Sequence, residues 1–167
     1  MMGVALNLLS KPPVQQVTMP IYWQDPAGVG PDAIRRYFSA IQAVYNPIQI
    51  EASPMPQGSQ PVDGRHLQVV FAGSPPTPRL ATDDAYGVAL PGRAYIYTGA
   101  LGGFGDERDA ATEAVLAHEI GHMVGLQHTL AGTMQPVITQ QGLLRGMQPL
   151  SKGQLKRAGI SLMDLAK

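Results

Sequence analysis

The feature that most constrains this chain is the run HEIGHMVGLQH at residues 118–128. His118 and His122 are four residues apart, so on an α-helix their side chains share one face, with Cβ atoms roughly 5–6 Å apart. Two imidazoles in that relation can bind one metal ion at about 2.0–2.1 Å each. Glu119 is turned about 100° from His118 around the helix. It is therefore placed to act as a general base on a water at the metal, not as a ligand.

The helix must end soon after His122, because a continuing helix would turn His128 about 240° further round and carry it roughly 9 Å along the axis. Gly125 permits this ending, since glycine enters the left-handed backbone region without a Cβ penalty. The chain can then turn back and offer His128 as a third ligand. Three protein ligands leave one position of a tetrahedral zinc ion open, as in catalytic sites.

These residues match H-E-x-x-H-x-x-G-x-x-H, the metzincin signature, and the chain resembles that family of zinc endopeptidases. The family also has a methionine turn beneath the metal, a role that the resemblance gives to Met134 and Pro136. Among the subfamilies the chain looks most like the matrixins, whose turn has the form Met-x-Pro. Matrixins usually have serine after the third histidine, where this chain has Thr129. The resemblance implies one catalytic Zn²⁺ held by His118, His122 and His128, Glu119 as the base, and Gly125 as support of the site.

The resemblance implies an α+β, zincin-like fold with a twisted mixed sheet of about five strands, an active-site helix, a methionine turn and a C-terminal helix. The residue patterns agree, since they predict strands at 17–23, 48–52, 66–72, 86–90 and 93–98 and a helix over 33–44. Residues 99–105 are predicted to be flexible, and the acids at 106, 107 and 109 to cap the active-site helix and to interact favourably with its dipole. Ser151 is predicted to cap the last helix, and Gly159 to weaken it or end it early. Residues 1–16 are predicted to be an N-terminal tail, and residues 17–167 one catalytic domain.

The strand at residues 86–90 resembles the edge strand above the matrixin cleft. An edge strand presents unpaired N–H and C=O groups, to which an extended peptide can add by backbone hydrogen bonds. The alternative is that residues 86–90 form an ordinary edge strand that other parts of the protein cover. Val137 and Ile138 fall where matrixins line their specificity pocket, although they could equally belong to the core. The predicted substrate-binding residues are Tyr86, Gly87, Val88, Ala89, Leu90, Val137 and Ile138.

The formal net charge is zero and no basic run stands out. Nucleic acid and anionic membranes are therefore not indicated as partners, which leaves protein or peptide substrates, and we expect a monomer. The absence of cysteine excludes disulfides, a thiol nucleophile and Cys-ligated zinc. His66, the fourth histidine, is predicted not to be a ligand. Asp83 and Asp84 could bind calcium, but acids in turns are common, so no calcium site is assigned.

The first nine residues lack the basic start, apolar run and cleavage site of a signal peptide, and no stretch is long enough to span a membrane. A cytoplasmic protein and a trimmed secreted form both stay open. A metzincin-like module that keeps zinc and only binds its partner is the alternative function. The presence of Glu119 favours the peptidase, because that carboxylate has little structural purpose.

Overall fold

The structure is a computed structural model that describes residues 16–57, 65–75, 86–135 and 147–165. These residues form a mixed α+β fold with five strands and three α-helices, and they contain the predicted βαββ start. The strands are β1 (Thr18–Gln24), β2 (Gln49–Pro54), β3 (Leu67–Ala72), β4 (Gly87–Leu90) and β5 (Arg93–Tyr97), and the α-helices are α1 (Pro31–Tyr45), α2 (Arg108–Met123) and α3 (Lys152–Leu165).

The five strands lie in one sheet in the order β2-β1-β3-β5-β4. The pairs β1–β2, β1–β3 and β3–β5 are parallel, whereas β4 runs antiparallel to β5. Every residue of β3, the central strand, is buried. In this order of the described strands, β4 lies at one edge of the sheet. It is joined to β5 by a turn at Pro91 and Gly92, where Gly92 has φ 73°.

Helices α1 and α2 pack together on the sheet and share its main core. The face of α1 predicted from the spacing of its apolar residues is the buried face. The α1 residues buried in this core are Ile34, Tyr37, Phe38, Ile41, Val44 and Tyr45.

Among the described residues, no helix has the length and apolar character needed to cross a membrane.

Two tyrosines of α1 hold α2 in place. The Tyr37 hydroxyl donates a hydrogen bond of 2.6 Å to the Asp109 carboxylate in the first turn of α2. Burial and this bond raise the pKa of Tyr37 to about 12. The hydroxyl of Tyr45, a fully buried residue, donates to the backbone oxygen of Ala117. Because Ala117 directly precedes His118, the second bond fixes α2 beside its first predicted metal ligand.

The segment before α2 differs from the prediction. Residues 99–105 were expected to be flexible, but Ala100–Glu107 forms a 3₁₀ helix, interrupted at Gly105 with φ 55°. Burial of Leu101 in the core accounts for this order. The prediction that nearby acids cap α2 is also wrong, because no side chain makes a capping hydrogen bond at its start, whereas the predicted acid in the first turn, favourable to the helix dipole, is present. Asp109 lies in the first turn and accepts the bond from Tyr37 instead.

Helix α3 begins as predicted and ends later than predicted. Ser151 Oγ accepts a 3.3 Å hydrogen bond from Gln154 N, and Gln154 Oε1 accepts one of 2.9 Å from Ser151 N, which makes a reciprocal capping box. The predicted early end at Gly159 is wrong, because the helix continues to Leu165, whereas the alternative, that Gly159 weakens the helix, stays a prediction. Burial of Ala158 and Leu162 in the core outweighs the low helix propensity of glycine.

Replacing Tyr45 by phenylalanine is expected to lower the free energy of unfolding by about 0.5–1.5 kcal/mol, the net value of a typical hydrogen bond. The ring and its packing remain, so the change removes the bond to Ala117 alone. Urea unfolding followed by circular dichroism measures the difference. Tyr22→Phe is the matched control and should stay within about 0.5 kcal/mol of the parent, since in the described structure the Tyr22 ring stacks on His66 and its hydroxyl has no hydrogen-bond partner. Equal midpoints for Tyr45→Phe and the parent would contradict the assigned role.

Candidate metal centre

Of the three predicted metal ligands and the predicted base, helix α2 carries all but His128. The helix ends where the sequence requires. The Leu126 N–H donates to Gly121 O at 2.9 Å, and the Gly125 N–H donates to His122 O at 3.0 Å. This pair of bonds is a Schellman motif, which needs a left-handed residue just past the helix, and Gly125 has φ 82°. The chain therefore reverses direction at Gly125 and returns toward α2.

The reversal brings His128 to the two helical histidines. His122 Nε2 lies 3.0 Å from His118 Nε2 and 3.1 Å from His128 Nε2. In the described residues these three side chains form a group able to hold a metal ion, with ligand atoms all within 4.8 Å of one another. Nitrogens bound to one tetrahedral zinc at 2.0–2.1 Å are separated by about 3.3 Å. The three side chains, called here the histidine tripod, therefore fit a single ion.

Backbone carbonyls fix the tautomers of two tripod rings. His118 Nδ1 lies 3.0 Å from Thr133 O, and His122 Nδ1 lies 2.9 Å from Leu126 O. A carbonyl oxygen can only accept, so each Nδ1 carries the hydrogen and each Nε2 keeps its lone pair. Metal-binding histidines usually have such a partner, which orients the ring. Sequence reasoning missed both partners, because any residue can supply a carbonyl.

Burial keeps the two helical histidines neutral. Burial lowers the pKa of His118 to about 4, opposed by the hydrogen bond to Thr133 and assisted by the neighbouring histidines. Burial also lowers the pKa of His122. At pH 7 both rings are thus in the neutral form that metal binding requires.

Glu119 lies beside the tripod without joining it. Its carboxylate is not among the ligand atoms of the histidine group. The residue is buried, with 8% of its surface exposed, and burial raises the pKa of its carboxyl to about 7. In the part of the chain that the structure describes, no protein group hydrogen-bonds to this carboxylate. The side chain can therefore take up and release a proton near neutral pH, as a general base and acid must.

Met134 packs directly under α2. It is fully buried, and a Cβ atom at Gly121 would lie 2.3 Å from its sulfur. Its carbonyl accepts a 2.9 Å bond from Thr129 N, which closes the loop after His128 and presents Thr133 O to the tripod. The predicted residues Pro136, Val137 and Ile138 lie outside the described residues, as do Asp83 and Asp84.

The predicted substrate strand includes β4 and lies close to the acid. Tyr97 N donates to Tyr86 O at 2.8 Å, and the register pairs Gly87 with Ile96. Because hydrogen-bonded and non-hydrogen-bonded pairs alternate in an antiparallel ladder, the N–H and C=O groups of Gly87 and Ala89 face away from β5. No described strand pairs with them on that side.

His66 does not belong to the tripod, as the sequence predicted. Its ring stacks on Tyr22 of β1, with centroids 3.9 Å apart, and it is not in the histidine group found among the described residues. The four histidines thus divide into a tripod and one residue in a separate environment.

Together, the sheet, the α2 helix and the tripod define a metzincin-like arrangement. Among solved structures the chain is similar to archaemetzincin from Methanopyrus kandleri, with a TM-score of 0.55 and 14% sequence identity over 91% of this chain and 98% of that one. At this identity the likeness shows the fold, which is metzincin-like. It gives no support to the matrixin placement. No protein-family model matches the chain, and no curated protein matches it.

Replacing His128 by alanine is expected to abolish stoichiometric zinc binding, because two imidazoles alone leave half of a tetrahedral shell without protein ligands. Metal analysis after dialysis against trace zinc should give one ion per parent chain and far less for the variant. His66→Ala is the matched control and should keep the parent's zinc content. Loss of zinc from His66→Ala, or retention by His128→Ala, would show that the ligand set is misassigned.

Replacing Gly121 by alanine should make the protein less stable, because overpacking of the added methyl group against the buried Met134 costs about 1–3 kcal/mol. This cost exceeds the gain of about 0.4–1 kcal/mol that alanine brings to a helix. Gly159→Ala is the matched control, as it is also in a helix but a Cβ there meets nothing within 4 Å. It should stabilise the protein by about 0.4–1 kcal/mol. Chemical unfolding of both variants measures the two opposite shifts. Stabilisation in Gly121→Ala would contradict the close contact with Met134.

Proposed function

We propose that this protein is a zinc-dependent peptidase with His118, His122 and His128 as metal ligands and Glu119 as general base. The observation that carries the proposal is the convergence of three histidine Nε2 atoms beside Glu119, a buried residue whose carboxylate has no hydrogen-bond partner among the described residues. A purely structural zinc site has four protein ligands and needs no such acid, whereas a hydrolytic site needs a carboxylate beside its open position.

When bound to the tripod, zinc would act as a Lewis acid that polarises the substrate's peptide carbonyl. It would also lower the pKa of a bound water from 15.7 toward about 7. Glu119 takes a proton from the attacking water as the water oxygen bonds to the peptide carbonyl carbon. It gives that proton to the amide nitrogen as the carbon–nitrogen bond breaks, which releases a carboxylic acid and an amine. The histidines keep their Nδ1 hydrogens on the Thr133 and Leu126 carbonyls throughout.

The substrate class that the geometry favours is an extended peptide. The outward N–H and C=O groups of Gly87 and Ala89 can pair with alternate residues of a peptide that lies along β4. Gly87 also packs against Glu119, so such a peptide passes beside the acid. We propose an endopeptidase, whose peptide substrate would extend past the tripod in both directions along the strand. Side chains of Tyr86, Val88 and Leu90, with Val137 and Ile138, remain proposed contacts.

The loop from Thr129 to Met134 is proposed to act as the methionine turn of the metzincins, continued by Pro136. Its support is the burial of Met134 against Gly121 and the bond from Thr133 O to His118. We place the protein at the level of the metzincin class, since the comparisons do not support the matrixin subfamily. One catalytic zinc ion, no calcium and a monomeric state stay proposals.

Replacing Glu119 by glutamine is expected to leave zinc binding intact and to lower peptide cleavage by about 10²–10⁴, the usual contribution of a general base. The amide fills the same space but cannot accept the proton. Cleavage of a diverse peptide library, measured by mass spectrometry beside metal analysis, tests both parts. A chelator should stop cleavage by the parent, and added zinc should restore it.

The outcome of this experiment separates peptidase from binding module. A parent that holds one zinc ion, binds library peptides and cuts none of them would be the zinc-retaining binding module, and the proposed activity would be wrong. Cleavage by Glu119→Gln at the parent's rate would instead retain the peptidase and remove Glu119 as its base.

A further inference from the structure

Gly87 of β4 lies unusually close to α2. A Cβ atom on this residue would lie 2.8 Å from Val115 Cγ1, 2.9 Å from Tyr95 O and 3.0 Å from Glu119 Cγ. Gly87 is in a β-strand and does not have a positive φ, so its backbone conformation suits any residue. Space, not backbone conformation, therefore requires glycine here.

Of the three atoms that meet this position, one belongs to a side chain that can readily move. The Tyr95 carbonyl belongs to strand β5, which pairs with β4. Val115 is buried, and a valine in a helix has one strongly preferred rotamer. Glu119 has several rotatable bonds, and no described protein group hydrogen-bonds to its carboxylate. The close contact with Gly87 therefore limits where the Glu119 side chain can lie.

We propose that Gly87 is a positioning residue for Glu119, because its bare Cα leaves the space in which the acid sits beside the tripod. This inference rests on the proposed function, in which Glu119 is the base. Gly87 also turns its backbone N–H and C=O toward the free edge of β4. The same residue would thus pair with the substrate backbone and position the acid. The acid would therefore lie at a fixed place along the bound peptide.

The first test is the kinetics of Gly87→Ala in the zinc-loaded protein. Displacing the acid by a few tenths of an ångström should lower kcat by up to about 10-fold, since misplacement by about 1 Å can cost 10² in rate. KM and zinc content should stay at the parent's values, because edge and tripod remain in place. Gly102→Ala is the matched control, with nothing within 4 Å of its Cβ, and should match the parent. A raised KM with unchanged kcat would overturn the proposal, since it would mean that the strand moves and the acid does not.

The second test does not depend on activity. Gly87→Ala should lower the melting temperature of the parent by at least about 2 °C, and clearly less in a Glu119→Ala background, where the Cγ atom that it meets is gone. An equal loss in both backgrounds would show that Glu119 does not feel the added methyl group and would overturn the proposal. This double-mutant cycle also decides the matter if the parent cleaves no peptide, an outcome that would remove the proposed function separately.

Crystal structures of the zinc-loaded parent and Gly87→Ala complete the comparison. The expected result is a displaced Glu119 carboxylate with β4 in its parent position. An unmoved carboxylate, or a strand that has moved away from α2, would overturn the proposed role of Gly87.

Discussion

The candidate site depends on two hydrogen bonds from histidine Nδ1 atoms to backbone carbonyls. The Thr133 and Leu126 oxygens fix the tautomers of His118 and His122, so that both Nε2 lone pairs converge. One carbonyl comes from the chain reversal at Gly125, and the other comes from the loop closed by Met134. The candidate metal site therefore depends on segments that return to α2 after the helix has ended. The helix alone would not orient its two histidine rings.

Close approach at glycines lets other elements support the same helix. Met134 packs where Gly121 has no side chain, and β4 packs against Glu119 where Gly87 has none. Tyr45 adds a buried hydrogen bond from α1 next to His118. Because protein interiors tolerate little change in volume, these contacts leave the ligands and the acid few alternative positions. Packing thus restricts the position of the Glu119 side chain, as hydrogen bonds to backbone carbonyls restrict the rings of His118 and His122.

The sequence predicted the features that residue type and spacing determine. The four-residue spacing of the helical histidines, the glycine break at Gly125 and the N-cap at Ser151 follow from local rules, and the structure agrees with them. The carbonyl partners carry no residue-type signal. The need for glycine at Gly87 depends on a helix more than 20 residues away in sequence. At residues 100–107 and at Gly159, tertiary burial overrode local propensity, which single-sequence patterns do not report.

The central claim, that one zinc ion binds three imidazoles and keeps a position open, is tested most directly by zinc K-edge X-ray absorption on protein loaded with one equivalent of zinc. The account predicts three imidazole nitrogens at about 2.0–2.1 Å and one further light atom. A shell with two or fewer imidazoles, or one completed by a fourth protein ligand or by the sulfur of Met134, would contradict it.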